Sequence, residues 1–329
     1  MLIATVIVGT ASFIEQPTIA ASFAEWSQAN GRTFSSAAEA AARRANFESS
    51  IARIEESSRK NPHAKFGLDF TADWSASELA GGGALNIPAD AVVQQPFSDA
   101  AIKAARDLGP LDWVELGAVT MPTSQGRCGT CAQFSATADI EAQWFLAGHG
   151  LIKLSEQEMI DCSSYTGPYG MGWVSDVHKG LTDNATYGLA NHSDPTLAGC
   201  RSNCSADKSA KEKSVAFIDG ATCAGQPDYD NQTQMLAWLA FGPLSVSIDA
   251  SFSGYQGGVL TDCKCVPAIT LHDGPAIRRA PCLPMEGQAP SLARAGSRQG
   301  HLFESRSCSH TGVDHAVLLV GWGHDEASG

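Results

Sequence analysis

The sequence is short of positive charge. Lysine and arginine number 22 against 35 aspartates and glutamates, for a formal net charge of −13. A nucleic-acid binder normally carries a basic patch or stripe, so no nucleic-acid partner is expected. Long apolar runs are also missing. Residues 1–11 are the longest such stretch, too short for a membrane span, and none is expected elsewhere. No lysine or arginine precedes that stretch, so it lacks the charged start of a secretory signal peptide. Residues 1–21 are still read as a signal peptide, with a buried first strand as the alternative. Zinc-type spacing is absent too. The pairs Cys128/Cys131 and Cys200/Cys204 are followed by no second pair with matching histidines, so neither a metal nor a cofactor is expected.

What is present begins with ten cysteines in 329 residues. That many favours structural disulfides and an oxidising compartment, secreted or lysosomal/vacuolar. Four Asn-x-Ser/Thr sites, at Asn184, Asn191, Asn203 and Asn231, fit the same route. A redox Cys-x-x-Cys centre at Cys128 and Cys131 is the rival, though no thioredoxin-type strand precedes it.

Residues 22–80 read as a small helical unit, with Phe47, Ile51 and Ile54 on one stripe. Residues 81–107, rich in Gly, Ala and Pro, read as a linker where a chain cut between two units would be cleaved. The second unit, residues 108–329, has a long helix from Cys131 toward Gly148. A capping-box start at Ser155-Glu-Gln-Glu158 opens a short helix closing at Cys162. Strands are expected over 244–249 and 316–320. Helices first and strands later predict an α+β protein of two lobes. Residues 266 to 307 follow neither period and read as an insertion.

Chemistry concentrates at Cys131. A thiol at a helix N-terminus beside a histidine has its pKa lowered and becomes a nucleophile. Gln125, on a Gly-rich turn, can present an amide N–H beside the Cys131 backbone N–H and bind an oxyanion. His315 enters the strand of the second unit directly, whereas His310 and His324 are expected in loops. A helix-start cysteine or a buried-strand histidine, taken alone, is more often structural.

The run Gln125-Gly-Arg-Cys-Gly-Thr-Cys131, then Leu154-Ser-Glu-Gln-Glu-Met-Ile-Asp-Cys162, then Val313-Asp-His-Ala-Val317 resembles the papain/cathepsin cysteine proteases in the family's order. His315 follows Cys131 by 184 residues. Setting aside the 42 residues from 266 to 307 leaves 142, inside the family's window of about 130–150. Glu39, Arg43, Phe47 and Ile54 resemble the helix motif of the family's inhibitory propeptide, with Ser50 and Ser58 in place of asparagines. Gly67-Leu-Asp-Phe-Thr-Ala-Asp73 resembles the motif that follows it.

The resemblance implies a two-lobed papain-like fold, a helical left lobe and a β-barrel-like right lobe, behind a helical propeptide. It implies Cys131 as nucleophile, His315 as base and acid, and Gln125 as oxyanion donor. Substrate contacts are implied at Gly129, Gly172 and Asp314, and a Cys162–Cys200 disulfide. The partners are peptide or protein substrates and the chain's own propeptide. Ala132 departs from the family's aromatic, and Tyr169 from the expected partner of Cys128, leaving Cys128 free or paired elsewhere. Gly329 precedes the family's Asn-Ser-Trp-Gly segment. The right lobe is therefore expected to be C-terminally incomplete, in a gene product retaining an intron at 266 to 307. Two functions follow: a cysteine endopeptidase zymogen, or an inactive homologue that binds peptides or proteases.

Overall fold

The computed structural model describes residues 23–79, 92–94, 97–126, 128–162, 180–187, 211–217, 220–224, 232–248, 254–260, 265–272, 302–303 and 315–323. The signal-peptide stretch, Tyr169, Gly172, Cys200, His310, Asp314 and His324 lie outside the described residues. No helix among the described residues is long and apolar enough to cross a membrane.

The N-terminal unit holds α1 (Phe23–Ala29), α2 (Ala37–Lys60), β1 (Ala64–Phe66) and α3 (Ala76–Leu79). Ser36 caps α2 by accepting from the Glu39 N–H at 3.1 Å, and Glu39 reaches back to the Ser35 N–H at 2.7 Å. This reciprocal cap satisfies donors that a helix start leaves open. Phe47, Ser50, Ile54 and Ser57 form the buried face of α2 at helical spacing. Trp26 packs on Phe47 with ring centroids 5.2 Å apart, and Phe23 and Phe34 extend the aromatic cluster. The stretch 67–73 is a turn that ties α1 to α2. Asp69 accepts the Trp26 indole N–H through its carbonyl, and Asp73 pairs with Arg32 at 3.1 Å.

Arg43 grips both carboxylate oxygens of Glu78, at 2.7 and 2.9 Å. Burial pushes the Glu78 carboxyl up, but the Arg43 hydrogen bond and the Ser75 N–H outweigh it, so its pKa lies below the ordinary glutamate value. Such a group contributes stability above its unfolded-chain pKa and loses it as pH falls through the folded one. Amide protection in α2 and α3 should therefore weaken on acidification across that interval. In Glu78→Gln this part of the acid dependence is absent. Hydrogen exchange against pH reads both, and an unchanged acid profile in the variant would refute the assignment.

The next elements are β2 (Val92–Gln94), α4 (Asp99–Asp107), β3 (Leu111–Asp112), α5 (Cys131–Leu146), α6 (Glu156–Cys162), β4 (Gly180–Leu181), β5 (Ala216–Phe217), β6 (Gly220–Ala224) and α7 (Gln232–Leu239). Then come β7 (Leu244–Ile248), β8 (Tyr255–Leu260), β9 (Cys265–His272), β10 (Leu302–Phe303), β11 (His315–Leu319) and β12 (Gly321–Trp322). Among the described residues the largest sheet has five strands in the order β11-β7-β9-β6-β2. The helix α5 lies between two cores and is buried on nearly every side, packing on β11, β9, β7, β5 and α6. One core gathers Ala136, Ile140, Leu154, Met159, Leu181 and Ala216. The other gathers Trp238, Leu239, Leu244, Val246 and Ile248 on the sheet side. This is the α+β arrangement expected.

The structure refines the sequence reading at three places. Residues 81–107, read as a linker, contain β2 and α4. Ser98 caps α4 through the Ala101 N–H, and Ile102 and Ala105 are buried at helical spacing. The stretch from Val266 to His272 belongs to β9, a central strand, and not to an inserted loop. Its apolar residues pair with β7 and β6, and Pro267 is passed over at a bulge between the partners Val266 and Ala268. A bulge is where a sheet tolerates a residue without an N–H. Finally, the Ser155 box is half formed. Ser155 Oγ accepts the Glu158 N–H at 3.0 Å, but the Glu158 carboxylate accepts from the Thr182 N–H and hydroxyl, each at 2.7 Å.

The two units meet edge to edge, β1 pairing antiparallel with β8. The Gly67 N–H donates to the Gly254 carbonyl at 2.8 Å. Gly254 has φ +80°, and a Cβ there would stand 2.6 Å from the Gly67 carbonyl oxygen, so this contact requires glycine.

Candidate active site

Cys131 is the first residue of α5, 1% exposed, and retains its thiol. The turn before it is wound tightly: Gly126 has φ +61°, and the Thr130 N–H donates to the Cys128 carbonyl at 2.8 Å. Thr130 makes no side-chain capping bond, and the first turn of α5 carries no acidic residue. No acidic side chain within that turn therefore offsets the positive end of the helix dipole where the sulfur sits. A thiolate and, later, an oxyanion are favoured there.

Cys128 is disulfide-bonded, as is Cys162, whereas Cys131 is not. The Cys128/Cys131 dithiol required by the redox reading is thus absent, and Cys128 is paired in spite of Tyr169. Gln125 is half-buried, and its amide Nε2 donates to the Cys128 carbonyl at 2.7 Å. Gln125 lies six residues before Cys131, and its amide is held on the turn by the backbone. One of its two N–H groups is used in that bond.

His315 opens β11 and pairs in register with Ile248 of β7. The strand packs directly on α5, and Ser135 Oγ donates to the Val317 carbonyl at 2.8 Å. Ser135 lies one turn after Cys131, and Val317 lies two residues after His315. That bond fixes the starts of the two elements with respect to each other. Sequence reasoning missed Ser135, because a lone serine within a helix carries no pattern. Gly129 is half-buried two residues before Cys131, and Ala132 is buried.

Behind the site, α5 buries Asp139 and Glu141, and α6 buries Glu156 and Glu158. Glu141 accepts the Leu154 N–H at 2.8 Å and pairs with Lys153 at 3.2 Å, and Glu156 pairs with the same lysine at 2.6 Å. Thr120 and Thr123 donate hydroxyls to Glu141 and Glu156, respectively. Burial raises the Glu141 pKa, Lys153 opposes the rise, and Glu156 adds to it.

Comparison with known proteins follows this division of the chain. Residues 109–275 match the papain family cysteine proteases, and residues 23–79 match the cathepsin propeptide inhibitor domain. The first match reaches through β9, in accord with its place in the sheet. Cysteine proteinase 2 of Leishmania pifanoi is 36% identical over 252 residues, which is 74% of this chain and 56% of that protein. Digestive cysteine proteinase 2 of Homarus americanus is 32% identical over 261 residues, 74% of this chain and 75% of the relative. The chain thus spans little more than half the length of the Leishmania relatives. Among solved structures, recombinant stem bromelain precursor superposes with a TM-score of 0.62 at 23% identity, covering 93% of this chain and 82% of that one. A digestive procathepsin L2 from Tenebrio molitor larval midgut gives 0.62 at 20%, covering 94% and 86%. At those identities the likeness speaks to the fold.

Proposed function

This chain belongs to the papain family of cysteine proteases, and on that premise we propose that it is the zymogen of a cysteine endopeptidase. The observation that carries the reading is the Cys131 thiol at the uncapped start of α5, with α5 fastened to the strand that begins at His315.

In the reaction the Cys131 thiolate attacks the peptide carbonyl carbon. The tetrahedral oxyanion is held by the Cys131 backbone N–H and by the second amide N–H of Gln125. The His315 imidazolium protonates the leaving amine, and the acyl thioester remains on Cys131. His315 then takes a proton from water, whose attack releases the acid and restores the thiol. Gly129, Gly172 and Asp314 serve as substrate contacts, and Cys162 pairs with Cys200. The peptides or proteins cleaved are the partners, and no cofactor takes part.

Residues 22–80 act as the intramolecular inhibitor and residues 81–107 contain the activating cleavage. The pairing of β1 with β8 supports an inhibitor seated on its own enzyme. Disulfide bonding at Cys128 and Cys162 supports an oxidising compartment, secreted or lysosomal/vacuolar, reached through a signal peptide in residues 1–21.

A thiol-directed epoxide tests the assignment. After removal of the N-terminal unit, one equivalent of label is expected per chain, and none in Cys131→Ala. A folded, processed protein that takes up no label overturns the enzyme and returns the peptide-binding reading.

A further inference from the structure

Cys131 and His315 stand on elements that belong to different cores. The helix that Cys131 opens contributes Ala136 and Ile140 to the core of Leu154, Met159 and Leu181. The strand that His315 opens lays Val317 and Leu319 against Trp238, Leu244, Val246 and Ile248. These two cores have no residue in common. Apolar burial is also non-directional, so it seats each element without fixing the start of one against the start of the other.

The strand β11 has five residues and stands at the edge of its sheet among the described residues, paired with β7. His315 makes the first pair of that ladder, opposite Ile248, and strand ends are where a ladder frays. Between helix and strand, Ser135 Oγ donates to the Val317 carbonyl at 2.8 Å. Ser135 is 4% exposed, so water does not readily take its place. The bond lies one helical turn from Cys131, about 6 Å of rise, on the same face of α5. It lies two residues from His315, about 7 Å along the strand. Helix and strand are both stiff over such lengths, so a displacement at the bond passes almost whole to the sulfur and the imidazole.

We infer that Ser135 is a positioning residue, which ties α5 to β11 so that the Cys131 thiol and the His315 imidazole meet at the separation their proton exchange requires. This role rests on the cysteine endopeptidase reading and adds to it a residue that acts through the other two. A misplacement of 1 Å in such a pair costs on the order of a hundredfold. With β11 still paired to β7, loss of this one bond costs about tenfold.

The full chain, processed to release the N-terminal unit, is alkylated with iodoacetamide across a pH series, and label is followed on the peptide that holds Cys131. The thiolate reacts and the thiol does not. With the pair in place, reaction persists well below the ordinary thiol range. In Ser135→Ala the acid limb moves upward, and on that limb the rate falls about tenfold. On a peptide substrate kcat falls in step, with KM little changed. Ser135→Thr keeps the hydroxyl and should stay within about threefold of the unaltered chain. Thr137→Ala is the structural control. Thr137 is wholly buried two positions further along α5, and its hydroxyl has no hydrogen-bond partner among the described residues. That variant should unfold at lower urea and leave the acid limb in place. An unmoved limb in Ser135→Ala, an equal shift in Thr137→Ala, or a Ser135→Thr variant as impaired as the alanine overturns the inference. Alkylation needs no substrate, so it reads the pair apart from peptide cleavage. An unaltered chain that alkylates in acid yet cleaves no peptide counts against the endopeptidase reading and leaves the positioning role standing.

Discussion

Alanine at His315 lowers kcat/KM for a peptide substrate by about 10⁴-fold or more, measured on the processed enzyme with the same epoxide titration as a count of active sites. The size follows from the proposed role: a base that protonates the leaving amine and activates water acts as one unit with the nucleophile, and alanine offers no such group. Gln125→Ala should cost less, about 10²–10³-fold in kcat, because the backbone N–H of Cys131 still binds the oxyanion. A double variant of Cys131 and His315 should be little worse than either single one. If His315→Ala kept a tenth of the activity, the base would have to be another residue.

The second large effect is on stability. Lys153→Met is expected to destabilise the peptidase by about 3 kcal/mol in urea at neutral pH, since it leaves the buried carboxylates of Glu141 and Glu156 facing each other without a cation. Glu156→Gln added to Lys153→Met should recover a large part of that loss, which a merely apolar repacking effect would not show. The pH dependence has a definite sign. The Glu141 pKa is raised by burial, so its contribution is fully present below the unfolded-chain glutamate value and is lost as pH rises through the folded one. The deficit of Lys153→Met should therefore shrink on acidification. Glu78 behaves in the opposite sense, its clamp on Arg43 weakening in acid. Acid thus loosens the inhibitor-like unit while it relieves the peptidase core.

Much of the site could be read from the sequence because its signals are local. The tight turn at Gly126, the start of α5 at Cys131 and the strand at His315 each announce themselves within a few residues. The stripe Phe47 and Ile54 did the same for α2. What escaped lies in contacts between distant positions. The Gln234 side-chain amide bonds both backbone groups of Phe97, 137 residues away, and nothing beside either residue foretold it. Glu158 satisfied the local rule for a capping box, yet a buried carboxylate takes the best donors in reach, and Thr182 offered two. The opening of β9 was hidden by Pro267, which breaks the alternating pattern that marks a strand but is absorbed by the bulge. Helix α4 was obscured by the Gly- and Ala-rich stretch that precedes it.

The pairing of β3 with β12 joins Leu111 to Trp322, and β11 brings His315 onto β7. Neither sheet can close until the late part of the chain has left the ribosome. The contacts of the N-terminal unit, Trp26 on Phe47 and Arg43 on Glu78, span only tens of residues. Short separations favour fast folding, and at ordinary rates of synthesis the interval between Glu78 and His315 is about 10–50 s. The N-terminal helices are therefore folded, with β1 presenting an open edge, well before the peptidase sheet is complete. When β8 forms, its partner is already waiting. The order of synthesis thus favours pairing of β1 with β8 as soon as the peptidase sheet forms.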